Sequence, residues 1–580
     1  MKAILHITIY AVLFLSLAAC ALLCVETIWR GSFSEAMMWA SRQVSISSLC
    51  VIGIAAFYAL IYLLSGKMTL SLLIINVFLM LIALVQHYKL DFRGENFLLG
   101  DIMLFKEAIM IVDRFTITVP WYVLFPCALM LISPLCAFGI RIKGNRRTRL
   151  AAWGVCAVLF VQSACGILNI NDRTTANTDY YYLNGLIPGL VWSRPRRLTK
   201  PENYTEKQIN DILAQYTQED TAEVLPDIFF VMSESLYDLH RLEQIHLSAD
   251  TMPYFRTLQD TYWGGNLCVV PFGGGTVHTE YSVLTGYLPD VKSIAPYLNQ
   301  HMQQEGACSI PRQLSQYGYH TIAMHPNIGS MYNRNHAYPY LGFDDTVFID
   351  SMSAVYDYVG GYPSDRYLFD ELIRQYENRP MDKPFFSFTV TFQNHGAYDY
   401  DYDKRDIFAT DSAGNIITEA TTYANALKAS DEALETLIEY MSKQNRPIIL
   451  VLFGDHAPSL ETMGIPLKQG PENTYLYYTT PILVFSNYGF EMPFEQGEVL
   501  SSYRLGATLL HAIGIRSDRY YNYLADPSRE NLTKTSGMIA KNGQFLSDPE
   551  KYTRAVEELN LLYYDRVDGK HYSRKEHADE

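Results

Sequence analysis

Residues 447–458 read PIILVLFGDHAP, an almost unbroken apolar run that ends in Gly-Asp-His. Apolar stretches of strand length without polar alternation mark strands buried on both faces, which belong in a mainly parallel sheet covered by helices. Four more stretches read the same way: DIFFVMS (227–233), YHTIAMH (319–325), PFFSFTVTF (384–392) and TPILVFS (480–486). Helical patterns fall around 309–317, 363–377, 422–444 and 502–513. This alternation predicts an α/β domain, and chemistry in such domains sits beyond the carboxyl ends of the strands.

At one such end stand Asp455 and His456. Leaving the sheet breaks strict alternation, so both neighbours can face one cation; the plainer reading is a turn begun by Asp. Glu234 follows the strand FFVM within Ser-Glu-Ser, where an acid can otherwise serve as a helix cap. Together Glu234, Asp455 and His456 form a mixed oxygen and nitrogen set for a divalent ion, Mn²⁺ or Zn²⁺, with Mg²⁺ accepting part of it. The set lacks a nucleophile. PFGGGTVHTEYSVLTG (271–286) offers Thr276 after three glycines. The glycines let backbone approach a tetrahedral anion, and a hydroxyl placed on a metal has its pKa lowered. A flexible hairpin is the competing reading of the same glycines. Thr279 and Glu280 are expected to support the site rather than join the ligands.

The first 170 residues are different. Five apolar segments, at about 5–27, 46–65, 69–88, 117–140 and 150–170, are each long enough, at roughly 20 residues, to cross a bilayer as a helix. This part carries 13 Lys+Arg and 7 Asp+Glu, net +6, while the remainder carries 33 and 54, net −21. An acidic second part excludes nucleic acid as its natural partner and leaves the membrane. The loop RIKGNRRTR (141–149) has five basic residues and no acid, so it is expected inside and everything after about 171 outside. LDFRGENFLLGDIMLFKEAIMIVDRF (90–115) is amphipathic and too charged to cross, and is expected at the outer interface. The domain plan is therefore a five-helix transmembrane bundle (1–170), a linker with helical segments (171–226), an α/β extracellular catalytic domain (227–520) and its C-terminal extension (521–580). Of nine cysteines only Cys268 and Cys308 lie outside the apolar region, which leaves one possible disulfide and no zinc-finger spacing.

The order SES, GGGTVHTEYSVLTG, FQNHG and FGDHAP behind membrane spans resembles the lipoteichoic acid synthases and related phosphoglycerol transferases of the alkaline phosphatase and sulfatase superfamily. The resemblance implies a sulfatase-like fold and a metal shell of Glu234, Thr276, Asp455 and His456, with Thr276 also the nucleophile and Mn²⁺ the expected ion. It further implies that His325 and Arg334, in MHPNIGSMYNRNHAY, hold a phosphate or glycerol group and that His395 of QNHG joins them. Asn327 and Tyr332 occupy positions where the best-known synthase has Asp and Trp, so the departures fall on the substrate side. The implied activity is transfer of the phosphatidylglycerol head group through a phospho-threonine to a polyglycerolphosphate or glycolipid acceptor, at the outer face of the cell membrane. The rivals are a phosphoethanolamine transferase, a non-catalytic membrane sensor, and a sulfatase, whose nucleophile pattern is met only in part by CSIPR (308–312) because Ile310 stands where Pro or Ala is needed.

Overall fold

The computed structural model describes residues 2–93, 96–99, 102, 118–137, 146–170, 177–193, 198, 200–216, 221–287, 308–396, 398–400, 405–468, 470–526, 532–535, 538–541, 544–545 and 553–574. The chain divides into two compact units, Met1–Pro195 and Arg196–Glu580.

The first unit is helical: α1 (Lys2–Arg30), α2 (Val44–Ser65), α3 (Met68–Arg93), α4 (Trp121–Cys136) and α5 (Arg146–Leu168). By length and composition α1, α2, α3 and α5 can each cross a bilayer. The segment expected at 117–140 forms the shorter α4, of 16 residues with Pro126 and Pro134 inside it. So four helices meet the length requirement among the described residues, one fewer than expected. The expected interfacial stretch lies largely outside the described residues, as does the start of the basic loop at 141–145; α3 runs on to Arg93. Several polar groups within the helices bond to one another, as a bilayer favours. Tyr58 donates to Asn76, which donates through Nδ2 to the Met130 carbonyl at 2.8 Å and Ser133 Oγ at 3.0 Å. Part of the expected linker belongs to this unit. Helices Asn177–Asn184 and Leu186–Trp192 fold back on α1, where buried Glu26 accepts from Leu186 N at 2.9 Å, Trp29 Nε1 at 2.8 Å and Arg30 Nε at 2.8 Å.

The second unit is built on an eight-stranded sheet: β1 (Asp227–Ser233), β2 (Trp263–Cys268), β3 (His320–His325), β4 (Asp345–Phe348), β5 (Phe385–Val390), β6 (Ile448–Gly454), β7 (Thr479–Ser486) and β8 (Val499–Ser501). The spatial order is β8-β2-β7-β6-β1-β5-β3-β4. The five strands from β6 to β4 are mutually parallel, β8 is parallel to β2, and β7 is antiparallel to both its neighbours. Every residue of β1, β5, β6 and β7 is buried, as their apolar sequences require. Side chains alternate between two helical layers. Phe229, Val231, Leu450 and Leu452 share one core with Leu368, Leu372, Leu427 and Leu434, which come from α8 (Asp365–Glu377) and α9 (Thr418–Ser442). On the opposite face Phe230 packs against Phe386 and Phe453. Three more helices flank the sheet: α6 (Pro253–Thr261), α7 (Thr276–Thr285) and α10 (Ser502–Ile513), the last two packed together.

Cys268 and Cys308 are both free and buried, and the Cys308 thiol donates to Asp518 Oδ2 at 3.0 Å. In the C-terminal region, Asp565 of helix Thr553–Val567 accepts from Tyr204 Oη at 2.5 Å and Ser573 Oγ at 2.6 Å, tying that helix to the start of the unit.

Asp227 opens β1 and anchors the amino-terminal edge of the sheet. It is fully buried and accepts from Arg446 Nε at 2.7 Å, Tyr376 Oη at 2.6 Å and Phe385 N at 2.9 Å. Removing it leaves an arginine and a backbone amide without their buried acceptor. Asp227→Ala is therefore expected to cost about 3 kcal/mol, read as a lower unfolding midpoint of the detergent-solubilised chain; an unchanged midpoint contradicts this anchoring role.

Candidate active site

Adjacent parallel strands deliver their last residues to one edge of the sheet. Glu234 follows β1, Thr391 follows β5, His325 ends β3 and Asp455 follows β6. The chain is tightly packed where β1 and β6 end side by side. A Cβ on Gly454 would lie 2.4 Å from the Leu236 carbonyl oxygen, so only glycine fits. Beside it Ser235 takes φ +51°, a left-handed conformation that costs about 1 kcal/mol for a residue with a side chain. The compensation is visible: Ser235 N donates to Asp455 Oδ1 at 2.7 Å and Ser235 Oγ donates to Glu234 Oε1 at 2.9 Å. His456 N also donates to Asp455 Oδ1, at 2.7 Å.

The three glycines carry φ values of +73°, +153° and +88° at Gly273, Gly274 and Gly275, which explains why side chains are excluded there. Gly273 N donates to the Ala457 carbonyl at 3.0 Å, which pins the loop to the segment after His456. The chain then enters α7 with Thr276 as its first residue. Thr276 Oγ1 stands 3.4 Å from Glu234 Oε2 and 3.5 Å from His456 Nε2. One turn on, Thr279 Oγ1 donates to the Asp455 carbonyl at 2.5 Å, locking the two motifs together.

The donor set fits a divalent cation on electrostatic grounds. One atom each from Glu234, Asp455 and His456 lies within 4.8 Å of the others, all three residues being buried. His456 Nδ1 stands 2.9 Å from the Ala457 carbonyl, so Nδ1 carries the proton. In the neutral ring Nε2 then presents a lone pair to Asp455 Oδ2 at 3.2 Å and Glu234 Oε1 at 3.6 Å. With Nε2 as an acceptor, these three facing groups suit a bound cation. Burial, with Glu234 beside it, pushes the Asp455 carboxyl up to about 6. Burial also pushes Asp365 up to about 6, the Ser430 and Thr391 hydroxyls pulling against it.

A second group gathers His325, Arg334, His395 and Tyr332. The His325 and His395 rings both pack against Phe392, at 5.4 and 5.2 Å, and the Arg334 guanidinium lies 5.2 Å from the Tyr332 ring centre. His325 Nδ1 contacts the Val390 carbonyl at 3.1 Å; burial and then the Arg334 charge hold its pKa well below the usual value, so the ring is neutral at pH 7. Arg334 is buried, and both Nε (3.0 Å) and Nη2 (2.8 Å) donate to Glu280 Oε2. Burial works against this cation and Glu280 more than restores it, so it stays charged. Asn327 makes a local contact instead, its Oδ1 accepting from Ile328 N at 2.9 Å. Sequence reasoning anticipated Glu280 as a support but not its partner. It missed Ser235, Thr391, whose Oγ1 accepts from Glu234 N at 3.0 Å, and Asp365. A groove of about 910 Å³ between helices Glu206–Leu213 and Thr553–Val567 is lined by none of these residues.

Comparison with known proteins bears on this geometry. The Sulfatase family model matches residues 226–515, half of the chain. A Rhizobium meliloti (strain 1021) protein named for the modification of cyclic beta-1,2-glucan is 31% identical over 377 residues, 61% of this chain and 57% of that protein. The chain spans about half the length of the curated relatives it matches. Among solved structures, the Streptococcus pyogenes phosphoglycerol transferase in complex with sn-glycerol-1-phosphate is 22% identical, covering 65% of this chain and 97% of that one with a TM-score of 0.51. The integral membrane lipooligosaccharide phosphoethanolamine transferase A of Neisseria meningitidis is 13% identical, covering 89% and 98% with a TM-score of 0.53. At these identities the two structures speak for the fold.

Protons and a cation compete for Asp455. Saturating Mn²⁺ is expected to raise the melting temperature of the chain, and the rise should grow as pH increases through about 6, where the carboxyl gives up its proton. A shift that stays flat between about pH 5 and about pH 8 contradicts this coupling.

Proposed function

The chain belongs to the sulfatase family, and from that membership we propose that it is a membrane-anchored, metal-dependent phosphoglycerol transferase with Thr276 as nucleophile. The observation that carries this reading is the Thr276 hydroxyl, set by the triple glycine within 3.5 Å of Glu234 and His456. A divalent cation held by Glu234, Asp455, His456 and the Thr276 hydroxyl, most simply Mn²⁺, would supply Lewis acidity that lowers the hydroxyl's pKa and spreads phosphate charge. Sulfate-ester chemistry is disfavoured: Cys308, the nearest match to a sulfatase nucleophile, is buried against Asp518.

In the first step Thr276 Oγ1 bonds to the phosphorus of a phosphatidylglycerol head group as the P–O bond to diacylglycerol breaks. Glu234 Oε2, which receives the Thr276 hydroxyl at 3.4 Å, takes its proton, and His395 gives one to the departing diacylglycerol oxygen. The second step reverses these roles. A hydroxyl of a polyglycerolphosphate or glycolipid acceptor attacks the same phosphorus, the Thr–O–P bond breaks and Thr276 recovers a proton. Neutral His325 serves as a hydrogen-bond acceptor for the glycerol rather than as an acid. A guanidinium has five donors, so Arg334 retains donors for phosphate oxygens while Glu280 fixes its plane. Tyr332 and Asn327 border this substrate side. The apolar helices explain the lipid donor, and the basic loop at 141–149 directs the sheet-bearing unit outward.

The Neisseria meningitidis likeness makes phosphatidylethanolamine the competing donor. Supplying head-group-labelled phosphatidylglycerol and phosphatidylethanolamine separates the two, with label expected to leave only phosphatidylglycerol; transfer from phosphatidylethanolamine alone overturns the donor assignment. Thr276→Ala should lower transfer by roughly a thousandfold or more. Glu234→Ala and His456→Ala should do the same while the unfolding midpoint stays near that of the parent. Variants that retain transfer, or that lose it only by unfolding, speak against the assigned roles.

A further inference from the structure

We propose that Asp365 is a positioning residue for the cation centre, a third carboxylate one hydroxyl removed from Glu234 that strengthens the hold on a divalent ion without touching it. The inference rests on the metal-dependent reading above. Asp365 is the first residue of α8, after Ser364 as cap, a place where an acid ordinarily faces water and favours the helix dipole. Here it is 1% exposed.

Its surroundings are built. Ser430 Oγ, from α9, donates to Asp365 Oδ2 at 2.6 Å. Asp365 N donates to Gln393 Oε1 at 2.9 Å, and Gln393 Nε2 donates in turn to the Ala426 carbonyl at 2.8 Å and to Ser430 Oγ at 2.9 Å. Asn394 Nδ2 reaches the same Ser430 Oγ at 2.9 Å. Thr391 joins this network to the centre: its Oγ1 accepts from Glu234 N at 3.0 Å, and its hydroxyl stands among the groups that favour the charged form of Asp365. Of the two carboxylate oxygens Oδ2 has a neutral partner, the Ser430 hydroxyl, and Oδ1 is buried with no hydrogen-bond partner, while the charge of Asp365 and that of Glu234 oppose each other. A carboxylate held this way is costly unless a cation lies within its field, because charges interact strongly in a dry interior. The same field that penalises the metal-free protein favours a bound ion, and outer carboxylates of this kind typically change metal affinity 10- to 100-fold.

Asp365→Asn keeps the shape and can still accept from Ser430. The test measures Mn²⁺ affinity of the full chain in detergent by calorimetry, beside the metal-free melting temperature and the kinetic constants. Expected are an affinity about tenfold weaker and a metal-free melting temperature equal to or above that of the parent, with activity recovered as Mn²⁺ is raised. Thr391→Val, which cuts the link to Glu234, should weaken Mn²⁺ binding as well, and Thr391→Ser should restore it. An unchanged affinity in Asp365→Asn overturns the inference, and so does loss of Mn²⁺ binding that only accompanies a fallen metal-free melting temperature. If the parent itself binds no Mn²⁺, it is the underlying metal-dependent reading that fails.

Discussion

Three acceptors face one another beyond the ends of β1 and β6: a Glu234 oxygen, an Asp455 oxygen and the Nε2 of His456, with the proton of that ring held on the far nitrogen by a backbone carbonyl. No arrangement of neutral side chains stabilises such a set in a buried space. It is tolerable where a cation completes it, and much of the local structure serves to keep it assembled. Asp455 spends one oxygen on two backbone amides, which leaves the other facing the imidazole. Ser235 accepts a left-handed backbone to make one of those bonds. Gly454 is confined by the Leu236 carbonyl, and Gly273 is tied to Ala457.

The wider fold explains why this assembly holds its shape. Parallel strands buried on both faces have little freedom, so the carboxyl ends of β6, β1, β5 and β3 arrive in a fixed order and bring Asp455, Glu234, Thr391 and His325 to one rim. Thr276, the proposed nucleophile, comes from elsewhere, at the start of α7, which packs on α10, and it is tied to the rim through Thr279. At the opposite edge of the sheet Asp227 gathers Arg446, Tyr376 and the start of β5, so the two ends of β1 do different work: one anchors and the other presents.

The strands that frame the site were legible in the sequence because burial on both faces leaves an unmistakable apolar run; DIFFVMS and TPILVFS coincide with β1 and β7 to within a residue. Strand β2, WGGNLC, was not read because two glycines and an asparagine weaken any strand signal, and its place depends on pairing with β7. β4 and β8 are too short to stand out. In the membrane unit, apolarity marked five segments, but two prolines and a short described length set α4 apart from the other four. Glu234, Asp455, His456 and Thr276 could be named because each directly follows an apolar run or a glycine run. Asp365 could not. An acid after Ser364 reads as an ordinary helix start, and only the folding of α9 against that start encloses it. The Glu280–Arg334 pair is likewise a product of tertiary packing, joining residues 54 positions apart.

Anomalous diffraction from crystals of the full chain grown with Mn²⁺ tests the account most directly. A Mn²⁺ peak bonded to Glu234, Asp455 and His456, within reach of Thr276 Oγ1, is the predicted result. A well-ordered map with those side chains in place and no peak among them, or a peak bound by other residues, would contradict it.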